Sequence, residues 1–410
     1  MRALVYTLAL IMSAMPICVH AQELITLSGT IADKNTRKAI EAASITIPGT
    51  DIGTISNADG YFSLRISATA APQQLLISHI GYDNLYHSIG EGKAENIKLY
   101  LSPNAYALEA VKVYSGNARD VVAQAVEKIS TNYEDKSNKL TGFYREVIQK
   151  RRNYVTVTEA VVDLYKSPYQ SGIRNDRVQI NKGRKIIDHK AADTVMVKLA
   201  GGPIQAVYLD IAKNMEFMLD KRELENYDFT YSVMLNIDNR SHYAINFKPR
   251  LITNHALFSG TMYIDEKTLT ISRVEVQLTG DELEKATKDI LRKKPTGMRF
   301  KLNDLTYTIS YRQSDGRSYL HYVGSEMKFQ CDWRRRLFHT NYTIASEMVT
   351  TDRERNPSEG ITAKDAFKQS QSLTDRVADF YDPDFWGNYN IIEPTESLEN
   401  AIGRIKKQRR

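Results

Sequence analysis

A zinc peptidase needs two ligands spaced so that both reach one ion, and His-x-x-Glu is the usual helical form of that pair. The chain has eight histidines, and the spacing occurs at His20-Ala21-Gln22-Glu23 alone. His79, His87, His189, His242, His255, His321 and His339 have no glutamate three residues on, and most stand in strand-like surroundings as structural side chains. Ser325-Glu326-Met327-Lys328 has the Ser-x-x-Lys spacing that sets a nucleophile beside its base on a helix. Its flanks alternate like a strand, where those two side chains leave from opposite faces. No Gly-x-Ser-x-Gly elbow and no Gly-x-x-x-x-Gly-Lys phosphate loop is present. Asp210 with Glu216, and Asp265 with Glu266, have no spacing that fixes a carboxylate separation. Asp51 and Asp59 fall in turns, without the ligand order of a calcium loop, where carboxylates ordinarily cap backbone amides. The expectation is a chain with no catalytic residue, no metal site and no cofactor.

The N-terminus accounts for the lone His-x-x-Glu. Met1-Arg2 is a short basic start, residues 3–15 are apolar, and Val19-His20-Ala21 suits cleavage before Gln22. Removal of this leader takes His20 with it. The apolar run is short for a membrane span, and no later stretch is long and apolar enough for one. Cys18 is where a lipoprotein would be acylated, but bulky Ile17 precedes it where a small residue is usual. With Cys18 gone, Cys331 is the one thiol left, so the fold relies on its core. The net charge is +6, and loss of Arg2 lowers it by one. Basic residues gather at 292–294, at 334–336 and in the tail (Arg404, Lys406, Lys407, Arg409, Arg410), where they could touch anionic lipid. An export leader argues against nucleic acid as a partner.

The 24 tyrosines suit half-buried pleated surfaces. Residues 22–115 read as short strands broken by turn residues every 8–12 positions, as in a small antiparallel sandwich. Asn57-Ala58-Asp59-Gly60 is a strong turn signal, because Gly60 can take a positive φ. The ordered series G-T-I-A-D, A-S-I-T-I-P-G-T, G-T-I-S-N-A-D-G-Y-F-S-L, L-L-I-S-H-I-G-Y and I-K-L-Y-L resembles the carboxypeptidase-D regulatory-like domain of Bacteroidetes envelope proteins. Residues 108–113 are similar to that module's exit strand. The resemblance implies a transthyretin-like, seven-stranded scaffold or docking module without a peptidase site.

Residues 116–135 read as a linking helix: Asn117 can cap it, and Val121, Val122, Ala125, Val126 and Ile129 form its apolar stripe. Residues 136–351 read as a larger antiparallel β-rich α+β domain, an open half-barrel around helices. Strands are expected at 141–149, 154–165, 177–187, 229–237, 243–247, 305–311, 319–329 and 338–349. One helix is expected at 202–218, with Pro203 at its start, and another at 281–291. The alternating hairpin at 260–276 resembles those of LolA- and LolB-type lipoprotein carriers, which implies an apolar concavity able to hold acyl chains. Phe143-Tyr144-Arg145-Glu146 after a sandwich and a helix looks like Bacteroidetes proteins carrying the same module. Asp193-Thr194-Val195 resembles the O-glycan acceptor pattern of secreted Bacteroidetes proteins.

Residues 352–410 read as an extension with short helices at 375–380 and 397–407 and a basic tail. Phe385 and Trp386 either plug back onto the preceding domain or form an exposed anchor for a partner. The expected protein is therefore a non-catalytic binding, docking or assembly component of the periplasm or outer membrane. Its partner would be an envelope protein or an apolar ligand. The alternative is a hydrolase of envelope glycans or peptides with a site built from scattered residues; a barrel fragment fits less well, since few residues remain after the first module.

Overall fold

The computed structural model describes residues 24–67, 72–90, 95–104, 116–188, 201–290, 298–333, 339–379 and 385–409. The leader, residues 108–113, Asp193-Thr194-Val195 and the basic clusters at 292–294 and 334–336 lie outside the described residues.

The first module contains β1 (Leu24–Asp33), β2 (Ser44–Thr46), β3 (Gly53–Ile55), β4 (Tyr61–Ser67), β5 (Gln74–Ser78), β6 (Leu85–Ser88) and β7 (Ile97–Leu101). They form two sheets, β4-β1-β7 and β3-β2-β5-β6. Every pair is antiparallel except β1 with β7, which runs parallel. Alternate apolar residues such as Leu27, Ile31, Ile45, Phe62, Leu64, Leu75 and Ile77 point between the sheets and are buried. The turn at 57–60 forms as its residue types dictate. Asn57 Oδ1 accepts from the amides of Asp59 (3.0 Å) and Tyr61 (2.9 Å), and Gly60 sits at φ 76°. A side chain at Gly60 would also meet Ile31 O at 2.4 Å.

Helix α1 (Ala118–Glu127) is capped by Asn117, whose side chain accepts the Arg119 amide at 3.0 Å. Val122 and Ala125 carry its buried stripe into the core of the second sheet. That sheet has β8 (Asn138–Lys150), β9 (Asn153–Lys166), β10 (Arg177–Ile187), β11 (Tyr227–Ile237), β12 (Arg240–Pro249), β13 (Ser259–Asp265) and β14 (Ile271–Gln277). After α2 (Asp281–Ile290) come β15 (Met298–Ser314), β16 (Arg317–Trp333), β17 (Thr340–Arg355) and the short β18 (Ala378–Asp379); α3 (Glu396–Arg409) follows. The order is β11-β12-β13-β14-β15-β16-β17-β8-β9-β10-β18. The sheet is antiparallel up to β10, takes β18 as a parallel edge and is not closed into a barrel. Paired left-handed residues make the tight turns that its long hairpins need, Asp238-Asn239 between β11 and β12 and Asp315-Gly316 between β15 and β16.

Two helical expectations fail. Residues 202–218 are not one helix but a turn at Gly202–Ile204, a single helical turn at Gln205–Tyr208 and another turn at Met215–Phe217. The Asn214 side chain donates to Tyr208 O at 2.8 Å and closes the helix there, while Asp210 and Lys213 are drawn into buried ion pairs. Of the helix expected at 375–380, residues 378–379 extend a sheet instead, and Phe380 lies outside the described residues. After a turn at Leu373–Asp375, β18 pairs with the open edge of β10, and Lys185 Nζ fixes Thr374 O at 2.7 Å.

The sheet's inner face is packed by α1 and residues 202–224, with Leu140, Tyr144, Val162, Leu164, Ile309 and Met348 in one core. At one end of that core Lys166 lies 2.9 Å from Asp176 and 2.8 Å from Asp210, and Lys213 lies 2.6 Å from Asp176. Tyr169 and Tyr311 donate to Asp210 at 3.1 and 3.0 Å. Burial works against the charges of Lys166 and Asp176, and mutual pairing overrides it, keeping Lys166 high and Asp176 low. Glu146, also on the inner face, lacks such compensation. It is wholly buried, takes one bond of 3.2 Å from Tyr144 Oη, and its Oε1 has no partner.

Burial pushes the Glu146 carboxyl up to about 7, with the Tyr144 bond opposing. A raised carboxyl stabilises the fold below its unfolded value, and that contribution is lost as pH rises through the folded value. Glu146→Gln is therefore expected to raise unfolding free energy at pH 8 by about 2–3 kcal/mol. The gain should vanish near pH 4, as read from urea unfolding at the two pH values.

Candidate functional site

The outer face of the sheet is where three parts of the chain meet. A carboxylate in the first module makes one joint. Arg353 on β17 grips Asp51 with Nε–Oδ2 at 3.1 Å and Nη2–Oδ1 at 3.2 Å. Its third nitrogen bonds Glu134, and the Tyr319 ring lies 4.1 Å beneath the guanidinium. Arg312 adds bonds to Thr50 O (2.8 Å) and Asp51 O (3.3 Å). A planar fork meeting a carboxylate edge-on fixes orientation as well as distance. Asp51, a turn carboxylate in the sequence, thus docks the sandwich on the sheet. Asp59 does similar work, accepting the Glu396 amide at 2.7 Å where α3 begins.

Residues 385–395 form the second joint, running between sandwich and sheet. Thr54 Oγ1 donates to Ile391 O at 3.0 Å, and Asn57 Nδ2 donates to Glu393 O and Pro394 O. The Asn390 amide behaves as a strand would towards β4: its oxygen accepts Arg65 N at 2.6 Å, and its nitrogen donates to Arg65 O at 3.0 Å. From the sheet side comes Arg145. It donates to Glu159 Oε1 through Nε (2.9 Å) and Nη2 (2.7 Å), to Glu347 (3.3 Å), and to the carbonyls of Ile392 (2.6 Å) and Glu393 (3.4 Å). Arg184 holds the other oxygen of Glu159 at 2.8 Å. Burial alone would raise the Glu159 carboxyl; the two guanidinium groups override it and hold the carboxyl below its ordinary range.

Between these joints lies a cleft of about 410 Å³. Its floor is the outer face of β15, β16, β17 and β8, with Thr306, Thr308, Gly324, Ala345 and Arg145. Its walls are Glu41, Asn57 and Ala58 of the sandwich and Thr395 and Leu398 at the start of α3. Small floor residues keep it open. Gly324 matters most, since a Cβ there would meet Tyr322 Oη at 2.6 Å. Burial, with Glu326 and Asp59 adding, raises the Glu41 carboxyl. Burial raises Glu347 as well, with Arg145 opposing and Glu41 adding. The cleft thus mixes apolar and polar surface in near-equal parts, is rich in hydroxyls and negative at its rim, and it can bind a hydroxyl-bearing or cationic group.

Of the residues singled out in the sequence as candidates for chemistry, Ser325 lines the cleft, and the paired carboxylates lie elsewhere. Asp210 is in the inner-face ion network, Glu216 is exposed, and Asp265 caps its own turn through the amides of Lys267 and Thr268. Ser325 and Lys328 lie on strand β16, with Lys328 paired to Asp304 and Glu326. Among the described residues no group of His, Cys, Asp or Glu side chains is arranged to hold a metal ion. Trp386 is 4% exposed, its ring edge-on to Phe143 at 5.3 Å. Phe385 is half-buried, with Lys182 4.5 Å above its ring. Sequence reasoning missed Arg145, Glu41 and Glu347 as site residues. A readable signal existed for Arg145, a cation placed mid-strand among Phe143, Tyr144 and Val147.

Residues 27–113 match the family model of the CarboxypepD_reg-like domain, so the sandwich is a module of that kind and the rest of the chain lies outside the match. No curated protein matches the chain. Solved structures similar to it include a domain assigned to outer membrane lipoprotein sorting, from Vibrio parahaemolyticus (11% identity, 60% of this chain and 96% of that one, TM-score 0.27). A LolA superfamily protein from Nitrosomonas europaea is similar at 8% identity, over 62% of this chain and 99% of that one, with TM-score 0.25. Lipovitellin is similar at 10% identity, over 62% of this chain and 28% of its own, with TM-score 0.27.

Without Arg145, Glu159 keeps Arg184, but its Oε1 and the Ile392 carbonyl lose their donor and Glu347 loses its cation. Arg145→Met is expected to cost about 3–5 kcal/mol of stability in chemical denaturation. It should also expose the 385–395 segment to limited proteolysis.

Proposed function

We propose that the protein is a non-catalytic binding or assembly component of the cell envelope, exported to the periplasm or held at the outer membrane, with its ligand site in the junction cleft. The observation that supports this most is the double lock on the cleft, Arg353–Asp51 on one side and Arg145 with the 385–395 segment on the other. Both walls are fixed before any ligand arrives, so binding is spared the cost of ordering them. The cleft also lies within the ordinary size range of ligand sites. An acyl chain on the inner face would first have to displace α1 or residues 202–224, which fill that face among the described residues.

Native mass spectrometry of the mature protein purified from its own envelope tests this reading. A co-purifying species that is kept by the natural chain and lost from Gly324→Val is expected, since the added side chain drives Tyr322 into the cleft. An acyl species that survives Gly324→Val would move the ligand to the inner face. A clean apo mass in both would sink the ligand site and leave protein docking, to be followed by cross-linking in cells.

One observation favours a second reading. Glu41 and Glu347 are both raised in one cleft, and perturbed carboxylates facing a cavity are a feature of acid–base sites. A hydrolase would release reducing ends from envelope glycan, and Glu347→Gln would abolish that release.

A further inference from the structure

A second, smaller cavity of about 80 Å³ lies in the seam between sandwich and sheet, beside the cleft described above and sharing Tyr322 with it. Its sandwich side brings Ser44, Ser78 and His79; its sheet side brings Ser272, Arg273, Arg312 and His321. His321 is 6% exposed, and its Nδ1 is buried without a hydrogen-bond partner. Such a group carries a desolvation cost that a ligand would relieve. The other ring nitrogen faces Ser44 Oγ at 3.4 Å. When Ser44 donates to it, Nδ1 carries the hydrogen and is a buried, unpaired donor on a residue that lines the cavity. His79 bonds Ile80 O through Nδ1 at 2.9 Å and also bonds the backbone of Glu41.

The charges have the sign that suits an anion. Arg312 spends two of its N–H groups on Thr50 O and Asp51 O, and Arg273 gives its Nε–H to Glu275 at 2.7 Å. Both forks keep further donors. Burial and then the facing arginine lower both histidines, His79 to about 4 with Arg273 beside it and His321 to about 3 with Arg312 beside it. Asp238, exposed in the β11–β12 turn, is the opposing carboxylate on the lining. The space suits an ion of a few heavy atoms, and hydroxyls from both modules surround it.

We propose that this seam is an oxyanion site for a phosphate group, held by Arg273, Arg312 and His321 with the serine hydroxyls, which bridges the sandwich to the sheet. A free phosphate and the phosphomonoester of a lipid headgroup share this chemistry. The proposal is independent of the ligand assigned to the larger cleft.

Isothermal titration of the full mature chain with inorganic phosphate, against sodium chloride at equal ionic strength, tests it. One phosphate per chain is expected, bound at least tenfold more weakly by Arg273→Gln and by His321→Leu. Circular dichroism melts of both variants report whether they are folded. Arg273→Gln removes a partly exposed side chain, so it keeps the test decisive if His321→Leu does not fold. Flotation with vesicles containing phosphatidic acid separates the sources. Vesicle binding that inorganic phosphate competes away assigns a headgroup, and phosphate binding without flotation assigns the free anion; either supports an oxyanion site. No binding beyond chloride, or equal binding by the folded Arg273→Gln variant, overturns it.

Discussion

A single guanidinium holds together parts of the chain that are far apart in sequence. Arg145 sits on β8, neutralises Glu159, steadies Glu347 and takes the carbonyls of Ile392 and Glu393. Lysine could not replace it, because a point charge cannot serve two carboxylates and two carbonyls lying in different directions. The arrangement also explains why an arginine and a glutamate are tolerated under the tail at all. Each buried charge has its partner, and the backbone carbonyls complete the shell.

Much of the architecture was legible from local pattern. Alternation placed the long strands β8 to β10 and the 260–276 hairpin. Asn117 announced the start of α1, and the ordered turn residues marked the sandwich as a regulatory-like module. Pattern failed where distant residues decide. Nothing near Asp210 or Lys213 says that their side chains must meet Lys166 and Asp176, which breaks the expected helix. Likewise Ala378 and Asp379 become strand because β10 leaves an edge open, a fact of topology and not of their own propensity.

The site was the least legible part, and for the same reason. Its lining comes from Glu41, Asn57, Arg145 and Leu398, which share no motif and are brought together only when sandwich, sheet and tail assemble. Turn carboxylates are a good example. Asp51 and Asp59 look alike in sequence, yet one clamps an arginine across the seam and the other caps a helix more than three hundred residues away.

The 385–395 segment carries a consequence for how the molecule comes into being. It contacts β4 through Asn390, β3 through Ile391 and β8 through Ile392, yet it leaves the ribosome after every strand it joins. The sandwich has its own core, and the large sheet has another, so each can collapse on its own schedule. Arg353 and Asp51 can join them first, and the second joint waits for residues 385–395, which act as a latch closed after both cores. A chain cut before residue 385 would therefore keep the Arg353–Asp51 joint and lose the wall that Thr395 and Leu398 give the cleft, so the cavity needs a segment that both cores can form without.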